Sequence, residues 1–289
     1  MMEISGVTAM DMIQFNIFTS HAEVAHGVFT RKGGVSLSPF NSLNVGISTG
    51  DNETHVRENR CRIARDLGFE HALYLHQVHG NGVLVLDREQ QIKTLTSHGM
   101  DTRKQCSVSH DPLPCPDTPC LKNGMPFSQG AIPVADGVVT NIPGVLLVIQ
   151  VADCQAVLLF DPVKKVVANL HSGWRGSVAN IIGRGVDVMV TDFCCDPGDI
   201  RAAVAPSLGP CCAEFVHYKD ELPQGFLQYR RGDHHFDFWA ISRGQLMEKG
   251  IKSDHIEVSG LCTQCHPDRF FSYRHEHTTG RFAVAVGLC

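Results

Sequence analysis

Residues 144–193, GVLLVIQVADCQAVLLFDPVKKVVANLHSGWRGSVANIIGRGVDVMVTDF, decide how this chain folds. Three apolar runs follow one another: GVLLVIQVA up to Asp153, AVLLFD at 156–161 and VVANLH at 166–171. Only Gln150 interrupts the first. Short continuous apolar runs bounded by turn residues read as buried strands. The remainder reads as a loop entering a helix, with Val178, Ile181, Ile182, Val186 and Met189 spaced to share one face. Working outward towards the amino terminus, ALYLHQVHGNGVLVL at 72–86 holds two strand-like runs around Gly-Asn-Gly. Residues 51–67 set Val56, Ile63, Ala64 and Leu67 among charges, the pattern of an amphipathic helix. The clusters RKGGVS at 31–36 and SPFNSLNVG at 38–46 mark turns between short strands. Towards the carboxy terminus, RAAVAPSLG, IEVSG and RFAVAVG read as strands, and a helix is expected over 238–249. Strands and helices mix without a strict β-α-β rhythm. This favours an α+β fold, one domain of mixed β-sheets flanked by helices over 1–289, rather than a doubly wound sheet.

The 289 residues are 43% hydrophobic and 19% charged, the balance of a chain that fills a core and not of a disordered one. A formal net charge of -5 leaves no basic footprint for nucleic acid. No run approaches the roughly 20 apolar residues that span a bilayer. The opening MMEISGVTAMDMIQF lacks the basic start and apolar centre of a secretory signal, so a cytoplasmic location is the expectation. Twelve cysteines in a chain of this size then read as free thiols or metal ligands rather than a disulfide scaffold. Adjacent Cys194-Cys195 and Cys211-Cys212 are poorly disposed for bonding to each other. Residues 90–133 break the periodicity; they carry Cys106, Cys115, Cys120 and the prolines Pro112, Pro114, Pro116 and Pro119, and read as an insertion.

Reactive side chains sit at strand ends in three places, LHQVHG, VADCQAV and LHSGWRG, the first and last of them beside glycines. They present His79, Cys154 and His171. Two imidazoles and a thiolate suit zinc, and a catalytic zinc keeps a fourth position open. Asp153 is placed to orient a ligand or move protons. On spacing alone the metal signal is weak, and a core cysteine with two satisfied histidines is the favoured reading.

Eight motifs in order extend the reading: HGVFTRKGGVSLSPFNSLNVG, VRENR, HQVHG, ADGVVT, VADC, HSGWRGSV, LGPCC, and CT followed by FFSYRHEHTTGR. In these motifs, from about His26 to Val286, the chain resembles the YfiH-type family, whose names include polyphenol oxidoreductase laccase, laccase-domain protein and purine nucleoside phosphorylase. The resemblance implies that His79, Cys154 and His171 are zinc ligands. It also implies phosphorolysis of adenosine, inosine, guanosine and methylthioadenosine, together with adenosine deamination. Purine nucleosides and phosphate are the expected partners; self-association stays open. For the phosphate, the candidates are Arg31, Asn44, Arg60 and Arg175, since arginine forks match its geometry. Arg274 and Arg281 read instead as packing and loop clamps.

Two other chemistries compete. The older family name implies a copper-dependent phenol oxidase, but multicopper sites draw on several H-x-H and H-C-H patterns, and this sequence holds one H-x-H, His275-Glu276-His277, and no H-C-H. A cysteine hydrolase, including a peptidoglycan-precursor editing factor, would use Cys154 as nucleophile with a histidine base. His76 reads as a satisfied histidine facing away from His79. CTQCH, beginning at Cys262, has C-x-x-C spacing. A structural zinc there needs two further ligands and the sequence holds no second C-x-x-C; Cys106, Cys115 and Cys120 are the candidates considered.

Overall fold

A computed structural model describes residues 10–87 and 132–289. The insertion expected at 90–133, with Cys106, Cys115 and Cys120, falls outside the described residues except for positions 132 and 133.

Two mixed sheets stack face to face. The first has the order β1 (Met12–Ile13), β2 (Val24–Phe29), β13 (Phe282–Leu288), β6 (Val145–Val151) and β3 (His71–Tyr74). The second runs β12 (Ile256–Val258), β9 (Arg201–Val204), β7 (Gln155–Asp161), β8 (Val166–Ser172), β5 (Gly137–Thr140) and β4 (Val83–Leu86). Pairing is antiparallel except for β3 with β6, β4 with β5 and β12 with β9. Helix α2 (Glu53–Asp66) covers the outside of the first sheet; α4 (Ile181–Phe193) and α6 (Phe238–Glu248) cover the second. The order of layers is therefore helix, sheet, sheet, helix, an α+β arrangement as expected from the sequence.

This stacking explains the uninterrupted apolar runs. Along β6, Val145, Leu147, Ile149 and Val151 enter the core between the sheets, while Leu146 and Val148 meet α2 and its surroundings. Along β7, Ala156, Leu158 and Phe160 face the other sheet, and Val157 and Leu159 face α4. A strand buried on both faces has no polar side to alternate with. Asn169 on β8 is the polar exception: its amide donates across the gap to the carbonyls of Leu147 (3.0 Å) and Val284 (2.9 Å) in the opposite sheet.

The segment at 172–193 forms two helices instead of a loop and one helix. The short α3 (Trp174–Val178) is separated from α4 by Asn180, at φ 53, whose side chain caps Gly183. Of the face expected to be apolar, Ile181, Ile182, Val186 and Met189 are buried and Val178 is exposed.

Four connections among the described residues cross from one sheet to the other, β3–β4, β5–β6, β6–β7 and β12–β13, and two of them carry candidate ligands. HQVHGNG leads from β3 to β4, so the two runs at 72–86 are strands of different sheets. VADC leads from β6 to β7. Gln77 fixes the first crossing by pairing with the backbone of Gln150: its amide donates to the carbonyl and its oxygen accepts from the N–H, both at 2.9 Å. Among the described residues no helix is long and apolar enough to cross a membrane.

His26 on β2 is a buried titratable group whose charge the fold opposes. Its Nε2 accepts the N–H of Phe15 at 2.8 Å, and its ring stacks on that of Phe15. Burial lowers its pKa from 6.5 to about 4. Above 6.5 the group is neutral folded or unfolded; as the pH falls from 6.5 towards 4 the unfolded chain takes up the proton first and stability is lost. The loss is complete below about pH 4 and amounts to at most roughly 3 kcal/mol. Urea titrations at pH 7 and pH 5 should show wild-type protein losing more stability than His26→Gln, which keeps an acceptor but cannot protonate.

Candidate metal centre

The β3–β4 and β6–β7 crossings and the end of β8 meet at one place. His79 lies in the first crossing, Cys154 in the second and His171 near the end of β8; their ligand atoms all fall within 4.8 Å of one another. His79 has φ 61 and Asp153, immediately before Cys154, has φ 86. Such left-handed backbone is sparsely populated and persists where the surroundings hold it.

At His79 it is Asp136 that holds it. This fully buried carboxylate accepts N–H groups from Val78, His79 (2.8 Å) and Gly80 (2.7 Å) and receives His171 Nδ1 at 2.8 Å. With Nδ1 engaged, Nε2 of His171 is the ring nitrogen left for a ligand, an arrangement in which a carboxylate sets the tautomer of a metal-binding histidine. Burial pushes the Asp136 carboxyl up, but His171 and the Gly80 and His79 N–H groups more than offset it, leaving the pKa below the ordinary value. Burial would likewise raise the Cys154 thiol; His171 and His79 bring it down to about 6. His171 is desolvated, yet Asp136 and Cys154 lift it to about 9. Without metal, then, Cys154 and His171 form a thiolate–imidazolium pair at neutral pH.

The donor set fits a metal ion. Two imidazoles and a low-pKa thiol converge, the rings of His79 and His171 stand edge to face at 4.8 Å, and Gly173 leaves the space beside them. A Cβ at Gly173 would lie 3.0 Å from Cys154 Sγ and 3.0 Å from His79 Cδ2. His76 is exposed, bridges to Val134 and is not part of the cluster.

His79 and Cys154 open onto a cavity of about 430 Å³, within the range of small-molecule sites. Trp174, Phe215, Phe238 and Tyr273 give it an aromatic wall; Arg175, Arg274 and Arg281 give it positive charge. Asp153 lines it too, with its carboxylate accepting Thr263 Oγ1 at 2.6 Å and the Arg274 N–H at 2.7 Å. Asp153 thus orients the Arg274 loop, and the carboxylate that orients a ligand histidine is Asp136.

Of the four expected phosphate residues, only Arg175 lines the cavity. Arg60 lies on the buried face of α2, its guanidinium 3.8 Å above the Tyr74 ring and bonded to Val45 O and Gln150 Oε1. Asn44 is fully buried and accepts the N–H of Arg281 at 2.8 Å. Arg31 donates to the carbonyls of Asn41 and Pro267 and pairs with Glu276 at 3.8 Å. Asn44 and Arg31 therefore act on the segment that carries Arg274 and Arg281, the two residues read from sequence as clamps. Asp136, Arg274 and Arg281 all stand inside the quoted motifs ADGVVT and FFSYRHEHTTGR. An acidic residue opening an apolar strand was the available signal for the first; the two arginines reach the cavity only through the placement of β13.

This layering is shared by solved structures. YfiH of Bacillus licheniformis matches with a TM-score of 0.78 at 28% identity, over 98% of each chain. YlmD of Geobacillus stearothermophilus matches at 0.75 and 30%, over 95% of this chain and 94% of that one. Fold and site therefore define a YfiH-type protein. The family model for multi-copper polyphenol oxidoreductase laccase matches residues 25–289, and the chain belongs to that family. Among curated relatives, a Geobacillus stearothermophilus protein named purine nucleoside phosphorylase YlmD is 33% identical over 273 residues, 90% of this chain and 89% of its own. The Escherichia coli protein named purine nucleoside phosphorylase YfiH is 31% identical over 270 residues, 90% of this chain and 91% of its own.

Two outcomes follow from the Asp136–His171–Cys154 geometry. Asp136→Asn should weaken zinc binding by roughly 10- to 100-fold, measured by competition with a chromophoric chelator. Because His171 holds a proton up to about pH 9 and Cys154 has lost its own above about 6, zinc uptake at pH 7.5 should release about one proton from His171. Calorimetry in buffers of different ionisation enthalpy reads that number, and zinc affinity should rise with pH up to about 9.

Proposed function

We propose that the chain is a zinc-dependent purine nucleoside phosphorylase that takes adenosine, inosine, guanosine and methylthioadenosine and also deaminates adenosine. The observation that carries the reading is the convergence of His79, Cys154 and His171 on a cavity with an aromatic wall and three arginines. The names of the YlmD and YfiH relatives support it.

His79, Cys154 and His171 would hold zinc, which when bound supplies a Lewis acid and lowers the pKa of water. The aromatic wall suits a purine, which stacks on such faces. Phe215 and Phe238 lie 5.1 Å apart and Trp174 stands edge-on to Phe215. Arg274 and Arg281 are assigned to phosphate, with Arg175, 4.3 Å above the Trp174 ring, at the margin. In phosphorolysis a phosphate oxygen bonds to the anomeric carbon as the glycosidic bond breaks, and the departing base takes a proton. Asp153 is our candidate for moving that proton: Thr263 and the Arg274 N–H leave its oxygens further lone pairs. Deamination uses the same pocket with water delivered to the purine ring in place of phosphate.

Two observations favour other readings enough to shape the test. Two imidazoles and a thiolate are also the equatorial set of a blue-copper site. The thiolate–imidazolium pair of the metal-free chain is the nucleophile of a cysteine hydrolase, such as one that edits peptidoglycan precursors.

The test is to incubate the zinc-loaded chain with adenosine, with and without phosphate, and separate the products. Adenine and ribose 1-phosphate are expected only with phosphate, and inosine in both. Cys154→Ala and His171→Ala should lose the zinc of this site and base release together. Arg281→Met should raise the KM for phosphate about tenfold or more, with smaller effect on the nucleoside. Turnover by fully metal-free protein would sink the zinc reading, and phenol oxidation by the copper-loaded form without nucleoside turnover would favour the oxidase.

A further inference from the structure

A second group of ligand atoms lies outside the cavity. Cys211 and Cys212 stand in the turn Gly209-Pro210-Cys211-Cys212 beyond β9, and Cys262 and Cys265 in the turn CTQC beyond β12. β9 and β12 are parallel neighbours, so both turns leave the same end of the sheet. The pairing continues past the strands: Ser207 donates to Leu261 O at 3.2 Å, and Thr263 donates to Ser207 O at 3.1 Å. That register brings four thiols together from positions some fifty residues apart. All four Sγ atoms lie within 4.8 Å of one another, with Cys265 3.6 Å from both Cys211 and Cys212.

We infer that Cys211, Cys212, Cys262 and Cys265 bind a single structural zinc ion that clamps these two turns together. A tetrahedral site with Zn–S bonds of about 2.3 Å sets its sulfurs about 3.8 Å apart, and the observed separations sit around that value. A disulfide needs about 2.05 Å and would leave two of the four thiols unused; all four are free. An iron–sulfur cluster distributes its thiolates over more than one iron and so spreads them more widely. The Gly209 N–H donates to Cys262 Sγ at 3.3 Å, which stabilises a thiolate. The Gly209 backbone can come this close because it has no side chain: a Cβ would stand 3.1 Å from Cys262 Cβ and 2.8 Å from the Trp239 ring.

Four thiolates close the coordination sphere, so the ion holds structure and leaves no position for substrate. What it holds is the cavity wall. The first turn is flanked by Leu208, Ala213 and Phe215, all facing the cavity. The second carries Thr263, which bonds to Asp153, and leads on to Tyr273 and Arg274. This inference does not depend on the reaction assigned to that cavity.

The experiment is a metal count on full-length chain purified under reducing conditions, by plasma mass spectrometry and native mass spectrometry. Wild type is expected to hold a zinc beyond the one bound by His79, Cys154 and His171. Cys154→Ala should keep that further zinc, whereas Cys211→Ser/Cys265→Ser, altering two exposed thiols, should lose it alone. Cobalt-substituted Cys154→Ala should show the strong visible bands of a tetrahedral tetrathiolate site, giving a readout even if the serine variant does not fold. Cys154→Ala that purifies without zinc and shows no such bands after cobalt is added would overturn the inference. So would equal zinc content in wild type and a folded serine variant, or a disulfide to Cys265 in freshly purified, thiol-blocked protein.

Discussion

A single buried carboxylate organises the functional end of this molecule. Asp136 is shut away from water, where an uncompensated negative charge would cost several kcal/mol. Its partners remove that cost: the N–H groups of Val78, His79 and Gly80, and Nδ1 of His171. Its backbone takes part as well, since its carbonyl accepts the N–H of His171. One residue at the start of β5 thus fixes the crossing loop, the left-handed conformation of His79 and the ring orientation of His171. Deleting it would leave three peptide N–H groups and an imidazole without their acceptor, so its loss costs more than any one of its bonds is worth.

The position of the site follows from the way the sheets are stacked. A chain that passes from one sheet to the other leaves regular hydrogen bonding at the seam, and residues there need other partners. Gln77 supplies such partners for β6, and Asp136 for the loop after it. The β3–β4 and β6–β7 crossings come together, which is why His79 and Cys154 meet although 75 positions separate them. The cavity is completed by the segment between β12 and β13, held by Asn44 against Arg281 and by Asp153 against Arg274.

Much of the fold was legible because burial leaves a compositional trace. The runs at β6, β7 and β8 and the amphipathic pattern of α2 carry that trace directly. Which strand pairs with which does not appear in it: both faces of β6 and β7 are covered, so the side chains do not say which layer lies on which side. The runs at 72–86 show the limit. Each is a strand, yet the turn-like HGNG between them joins two sheets instead of closing a hairpin. At the site, donor type at strand ends singled out His79, Cys154 and His171, but it was the ordered motifs, and not these local features alone, that read them as ligands. The arginines could not be sorted, since Arg60 and Arg281 are alike as sequence and differ only in whether Tyr74 or the cavity receives the guanidinium. The partners of Cys262 and Cys265 were hidden for a related reason. Cys211 and Cys212 do not form a C-x-x-C, and it is the parallel register of β9 and β12 that carries them to the second pair.

Ligand number separates the two clusters as clearly as their chemistry does. The group at the sheet crossings offers three donors, one of them oriented by a carboxylate, beside open volume and positive charge. An ion there would keep a coordination position for a small molecule. The cysteine group offers four like donors from two turns that wall that same volume, and an ion there would be saturated by the protein. Reactivity thus falls to the incomplete set and rigidity to the complete one. Their shared dependence on the 261–281 segment means that loosening the closed cluster would move Thr263, and with it the Asp153 carboxylate beside Cys154, without touching a ligand of the open one.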